Sequence, residues 1–250
     1  MSTCNRLDAG PALSVVSIID GETLALDDGS ALRLIGALAP RAIDLGLAPG
    51  AWPVESATSD ALRDLVLGKS VEIRFDGARE DRYGRHLGHA FRIDGAERVW
   101  VQGHLLERGL ARAYTTFGSR TCAADLLAAE RPAREARRGL WAEAAYQIRA
   151  ANDADALLAY RTTFQLIEGA VIRVAVARGT IYLNFERNRR EAFSASFRRD
   201  DRHLLGDHAA DPKALEGHRV RVRGWIEQRT GPVIDLSAAG QLEVLDQASK

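Results

Sequence analysis

The stretch Arg33-Leu34-Ile35-Gly36-Ala37-Leu38-Ala39-Pro40-Arg41 leaves the third strand of an antiparallel meander and runs into a proline-bearing loop. Upstream, residues 13–19 and 23–26 are apolar runs on either side of the Asp20-Gly21 turn. Asp28-Gly29 makes a second tight turn before a strand at 31–35. Downstream, the loop carries Pro40, Pro49, Gly50 and Pro53. An amphipathic helix follows over about 55–67, with Ala57, Ala61, Leu62 and Leu65 on one face. Residues 71–75 and 86–93 read as strands, separated by a charged loop. Residues 99–106 read as a helix ended by Gly109, and 123–138 as a long Ala/Glu/Arg helix that stops at Gly139, next to Trp141.

Meander, helix, two strands and two helices is the order of a small Greek-key barrel of the OB type with appended helices. The rest of the chain is strand-rich. Residues 164–177, 180–185 and 192–197 alternate around Arg178-Gly179 and a charged turn at 187–190. Segments 218–228, 233–236 and 241–245 complete the set, interrupted by a short helical stretch near 201–205. A second OB-like β-barrel is the expectation, and the fold class is β-rich α+β. The expected organisation is an N-terminal tail at 1–14, a first domain at 15–147, a linker at 148–160 and a second domain at 161–247. No residue-level repeat joins the halves.

Acidic and basic residues balance at 34 each, so no global field draws the protein to a polyanion or a membrane. Any anion binding must come from a local cluster. Lysine occurs only at Lys69, Lys213 and Lys250, and arginine supplies the remaining positive charge. Its planar fork suits phosphate, although a compositional bias toward arginine explains the count as well. Cys4 and Cys122 are too few for a disulfide framework or a metal site, and a reduced compartment fits them best. No segment is long and apolar enough to span a bilayer, and the N-terminus shows no export signal. A cytoplasmic location is therefore expected, although a secreted or periplasmic protein with a trimmed N-terminus would read the same way.

Three segments together carry a resemblance. They are Asp20-Gly21-Glu22-Thr23, the 33–41 stretch, and Asp81-Arg82-Tyr83-Gly84-Arg85. They resemble the staphylococcal nuclease (thermonuclease) family, whose frame reads DGDT, R-L-x-G-x-D-x-P-E and D-R-Y-G-R. Two scaffold segments add to it: residues 105–111, similar to the family's L-V-x-x-G-L-A helix end, and Ala129-Glu130 through Gly139-Leu140-Trp141. The resemblance covers about 15–143 and implies an OB-fold barrel with helices. It also implies calcium-dependent phosphodiester hydrolysis, in which carboxylates hold the ion, a glutamate serves the water and two arginines stabilise the charged phosphorus.

Carried over by position, Arg33 and Arg85 match the two arginines. Glu22 matches the first metal aspartate with one methylene more, and Asp20 its acidic neighbour. Leu38 stands where the second metal aspartate belongs and cannot bind Ca2+. Arg41 takes the place of the water-handling glutamate and cannot act as a base. The resemblance thus leaves a metal site of Asp20 and Glu22 that is incomplete. Glu22 against Arg33, Arg41 and Arg85 makes a net-positive pocket, so direct anion binding and simple disuse both stand as readings. Arg82, Tyr83 and Tyr114 complete the candidate nucleic-acid or phosphate contacts.

Asp44 and Glu55 are the carboxylates that could rescue catalysis. His86 and His89 read as strand-surface histidines, with His89 on the face of Arg85. In the second barrel, Arg219, Arg221, Arg223 and Trp225 form a stripe that suits single-stranded nucleic acid, but a solvated strand face is the favoured reading. Two function classes follow. One is a binding module for nucleic acid, a nucleotide or a protein partner, with hydrolysis weak or lost. The other is an active metal-dependent endonuclease or phosphodiesterase with a rearranged site.

Overall fold

The computed structural model describes residues 3–48, 50–116, 121–187 and 191–245. The chain divides into two compact units, Met1–Ala145 and Tyr146–Lys250. No helix among the described residues is long and apolar enough to cross a membrane.

The first unit is organised by β1 (Asp8–Asp20), a strand long enough to serve two partners. Its first half, Asp8 to Ser14, pairs antiparallel with β5 (Ser70–Phe75), and its second half pairs with β2 (Thr23–Leu26). The register with β5 shifts between Ala9 and Ala12, where Pro11 has no N–H to give. Gly10 lies at the same place, because a Cβ there would stand 2.5 Å from the Phe75 ring. The second half of the segment expected as a tail is therefore a barrel strand, hidden from pattern reading by its proline and glycine.

β2 pairs with β3 (Ala31–Leu34), and β5 with β6 (His86–Asp94). The barrel closes where β3 meets β6 in parallel, Leu32 opposite His86 and Leu34 opposite Gly88. Five strands in the order β3-β2-β1-β5-β6 thus form the expected OB-type barrel, with β7 (Glu97–Trp100) added outside β6. Val99 and Trp100, expected in a helix, belong to this strand, and α2 (Val101–Glu107) starts just after it. Between β3 and β5 lie β4 (Ala37–Leu38) and α1 (Pro53–Val66), which begins on its proline. The buried face of α1 is Thr58, Leu62, Leu65 and Val66, whereas Ala57 is exposed. Thr58 belongs there because its hydroxyl donates to the Leu110 carbonyl at 2.7 Å. β8 (Arg112–Ala113), paired with β4, and α3 (Ala123–Glu135) follow, before a 3-10 turn at Gly139–Ala142.

The second unit repeats the barrel connectivity with other residues. β9 (Arg149–Ala150) and α4 (Ala154–Leu158) occupy the stretch expected as a linker, and β9 pairs with β10 (Phe164–Ala170). A break at Val171-Ile172 separates β10 from β11 (Arg173–Ala177), so one run again serves two sheets. β11 pairs with β12 (Thr180–Asn184), and β12 with β13 (Ser194–Arg198). After a 3-10 stretch at Arg199–His208 come β14 (Arg219–Trp225) and β15 (Glu227–Gln228), then β16 (Pro232–Asp235) and β17 (Leu242–Val244). β14 pairs with β10, β15 with β16, and β16 with β13 in parallel. Its core gathers Ile167, Leu183, Phe193, Phe197, Val222 and Ile234. Of the charged turn expected at 187–190, residues 188–190 lie outside the described residues.

Cys4 and Cys122, expected as free thiols, form a disulfide across 118 residues of sequence, with both cysteines fully buried. Cysteine counting missed it because a single bridge is no framework. The Cys4 N–H donates to Asp125 of α3 at 2.9 Å, so the N-terminal segment is held by two bonds. A closed loop of this size should stabilise the unit by ~4–5 kcal/mol on chain-entropy grounds. Thermal unfolding with and without dithiothreitol should show a clearly lower midpoint on reduction, and Cys4→Ser should abolish that difference.

Candidate functional site

The site is built around a buried acid. In the turn between β1 and β2, the Asp20 carboxylate accepts the N–H of Glu22 at 2.8 Å. Gly21 lies against the 37–40 loop, since a Cβ there would stand 2.8 Å from the Ala39 Cβ. Glu22 is thereby driven under the loop and is 4% exposed. One of its oxygens accepts the Ala39 N–H at 2.7 Å. The other forms an ion pair with Arg33, which β3 presents directly opposite Thr23. Burial raises the Glu22 pKa, and Arg33 and the Ala39 N–H offset only part of that rise.

Every arginine expected in the pocket has a carboxylate partner. Arg41 pairs with Asp44 at 2.8 Å, and Arg85 with Asp81 at 2.7 Å. Burial alone would raise the Asp81 pKa, but the Arg85 side chain and the N–H groups of Arg85 and Tyr83 bring it below the ordinary carboxylate range. The net-positive pocket expected from sequence is therefore corrected: Glu22, Asp44 and Asp81 neutralise the three arginines one for one.

Two cavities flank the Glu22–Arg33 pair. One, of about 400 Å³, also receives Asp20, Arg41 and Glu55. The other, of about 430 Å³, also receives Asp76, Asp81, Arg85 and Tyr114. Arg82 and Tyr83 line neither. Tyr83 is 68% exposed, and its ring is covered by the Arg82 and Arg85 guanidinium groups at 4.8 and 5.5 Å. Sequence reading overlooked Ser56, Ser59, Asp60 and Arg63, which α1 turns into the first cavity. Their spacing, with Glu55, marks the polar face of that helix and could have revealed them. Asp76, at the end of the β5 segment, gave no signal.

A calcium ion needs six to eight oxygen ligands, and the residues present do not fit that need. Leu38 is buried on β4 opposite Arg112, Asp20 is engaged by a backbone N–H, and both oxygens of Glu22 are engaged. Asp44 is held by Arg41, and Glu55 accepts the Gly50 N–H at 2.7 Å, so neither completes a ligand set. Among the described residues, the three-ligand grouping is Asp76, His89 and Cys122, and Cys122 is in the disulfide. His89 is 1% exposed, which corrects its reading as a surface histidine. The Trp100 indole donates to its Nδ1 at 3.2 Å, and burial lowers its pKa to about 4 despite nearby Asp76.

Residues 31–143 match the family described as staphylococcal nuclease homologue. The first unit thus carries, over these residues, a match to a staphylococcal nuclease homologue domain. The match includes Arg33, Arg41, Arg85 and Tyr114, whereas Asp20 and Glu22 lie upstream of its start. A comparison with curated proteins finds no match. A nuclease-homologue domain points to nucleic-acid binding or cleavage as its general sphere.

Glu22→Gln keeps an acceptor for Ala39 and removes the charge facing Arg33. It leaves the Arg33 guanidinium without its acid and should cost about 1–3 kcal/mol of stability. Glu22→Ala also leaves the Ala39 N–H unsatisfied and should cost about 1–3 kcal/mol more. Urea denaturation reads both. For His89, the folded pKa near 4 lies below its unfolded value of 6.5. The stability it contributes is therefore complete above that upper value and lost as pH falls through the lower one. His89→Gln should flatten the pH dependence of urea midpoints across that window.

Proposed function

We propose that the cleft of the nuclease-homologue domain binds single-stranded nucleic acid or a smaller phosphate ligand, and that it hydrolyses phosphodiesters weakly or not at all. The observation that carries this reading is the engagement of Glu22. The carboxylate at the position of the first metal aspartate already holds the Ala39 N–H and Arg33. With Leu38 buried and Arg41 in place of a base, the cleft lacks both a metal cage and a group to deprotonate water. Loss of either costs orders of magnitude in rate.

Phosphate binding needs arginines that can change partners. Arg41 and Arg85 have side chains 44% and 33% exposed, and such pairs contribute about 0–1 kcal/mol. An incoming phosphate can displace Asp44 or Asp81 at little cost. Its Arg fork gains two charge-assisted bonds in return. Arg33, held by a buried acid, orients the floor between the two cavities, and Tyr114 offers a ring to a base in the second. The competing reading, an active metal-dependent phosphodiesterase with a rearranged site, draws on Asp20, Glu22, Glu55 and Asp60, which line one cavity.

Incubation with single-stranded DNA and RNA, with and without calcium, separates the two. The expected result is no cleavage above buffer, with salt-dependent binding that weakens several-fold in Arg41→Ala and in Arg85→Ala. Robust calcium-dependent cleavage that disappears in Arg85→Ala would overturn the proposal.

A further inference from the structure

The basic stripe that stands out in the second unit's sequence is already neutralised. Arg221 is held by Glu168 at 2.6 Å and by Glu243 at 3.4 Å. Arg223 is 1% exposed and pairs with Glu243 at 2.7 Å, and Arg219 meets Glu168 at 3.4 Å. On β14 these arginines bind their neighbours β10 and β17, so little is left for a ligand.

The other sheet is different. On β12, Ile181 and Leu183 enter the core, which turns Thr180, Tyr182 and Asn184 to the opposite face. Register carries that face across the neighbours. Arg173 stands opposite Asn184, and Ala175 opposite Tyr182. Tyr182 in turn stands opposite Ser196, and Thr180 opposite Arg198. Tyr182 is thus an aromatic ring among small side chains, with an exposed arginine at each end of the face. Neither Arg173 nor Arg198 has a carboxylate partner among the described residues. The two rows are four residues apart along β12, roughly 13 Å at strand rise, enough for about two nucleotides of an extended strand.

The same face opens into a cavity of about 370 Å³ lined by Tyr182, Asn184, Glu186, Ser194, Arg229 and Thr230. Glu186 is among the lining residues, and its Oε1 is shielded from solvent without a hydrogen-bond partner among the described residues. A buried acceptor left unsatisfied is costly, and a ligand bearing an N–H would satisfy it. Amino and imino groups of unpaired bases are such donors. On an OB-type barrel, the face of the second and third strands and the loop between the fourth and fifth are where extended ligands lie.

We propose that this face of the second unit binds single-stranded nucleic acid, with one base stacked on Tyr182 and its N–H edge toward Glu186, and with flanking phosphates on Arg173 and Arg198. The choice of nucleic acid over another ring-bearing ligand rests on the reading of the first unit as a nucleic-acid-binding domain. Base stacking on an aromatic side chain is tolerant of sequence, so the face reads strand state and not sequence.

Fluorescence anisotropy of the full chain with labelled ten-residue DNA and RNA oligonucleotides tests this, in the wild type and in an Arg41→Ala/Arg85→Ala background that removes both exchangeable arginines of the first unit. In both backgrounds Tyr182→Ala should weaken binding about tenfold or more, and Tyr182→Phe should restore it. Arg173→Ala and Arg198→Ala should each weaken binding and lower the log–log salt slope by about 0.7. Circular dichroism checks that each variant folds. Binding that vanishes in the Arg41→Ala/Arg85→Ala background but is unchanged by Tyr182→Ala would overturn this inference and leave the first-unit reading intact. Binding that survives that background and falls with Tyr182→Ala would support it whatever the first unit does. A neutral oligosaccharide that binds through Tyr182 where oligonucleotides do not would also overturn it.

Discussion

A carboxylate removed from water has to be paired or protonated, and in this protein that constraint falls on Glu22. Its position follows from its surroundings: the Asp20 turn, the close contact of Gly21 with Ala39, and Arg33 on the adjacent strand. Glu22 in turn fixes the loop after β3 by accepting the Ala39 N–H. The loop's path, the direction of Arg33 and the division of the cleft into two cavities all depend on this one side chain. Glu22 thereby ties turn, loop and arginine together through its own two oxygens.

The barrel of the first unit was legible because its signals are local. The Asp20-Gly21 and Asp28-Gly29 turns, and the alternation along residues 71–75 and 86–93, follow from backbone and burial rules that act over a few residues. What escaped was non-local. Residues 8–14 look like a tail until β5 is there to pair with them, and Pro11 and Gly10 disguise the strand. Trp100 reads as helix by hydrophobicity, yet it ends a strand from which its indole reaches His89. The site was legible in composition and illegible in pairing. Arg33, Arg85 and Tyr114 line one cavity, but nothing in their segments announces that Asp44 and Asp81 pair with Arg41 and Arg85 and set the charge the cleft carries.

The same distinction holds between the two sheets of the second unit. Alternation made the arginines of β14 conspicuous, and each is matched by a glutamate that strand pairing brings beside it. Arg173 and Arg198 are far apart in sequence and belong to no pattern, yet register sets them on either side of one tyrosine. A count of basic residues measures potential partners, whereas only the arrangement of acids tells which of them remain available. In a chain with balanced charge, that arrangement carries more information than the total.

Both barrels are sealed by a parallel pair, β3 with β6 and β13 with β16. Parallel strands cannot be joined by a hairpin, and the sealing partners are separated by the helical segments between them. Antiparallel neighbours can form early through short loops, while the sealing pair must wait for a long loop to close. Until then β3 and β13 each present an open edge that another chain could capture. Assembly of each barrel is therefore a competition between self-closure and association with a neighbour. In the first unit, the disulfide that fastens the N-terminal segment to α3 favours closure by holding β1, the strand on which the sheet is built, within its own chain.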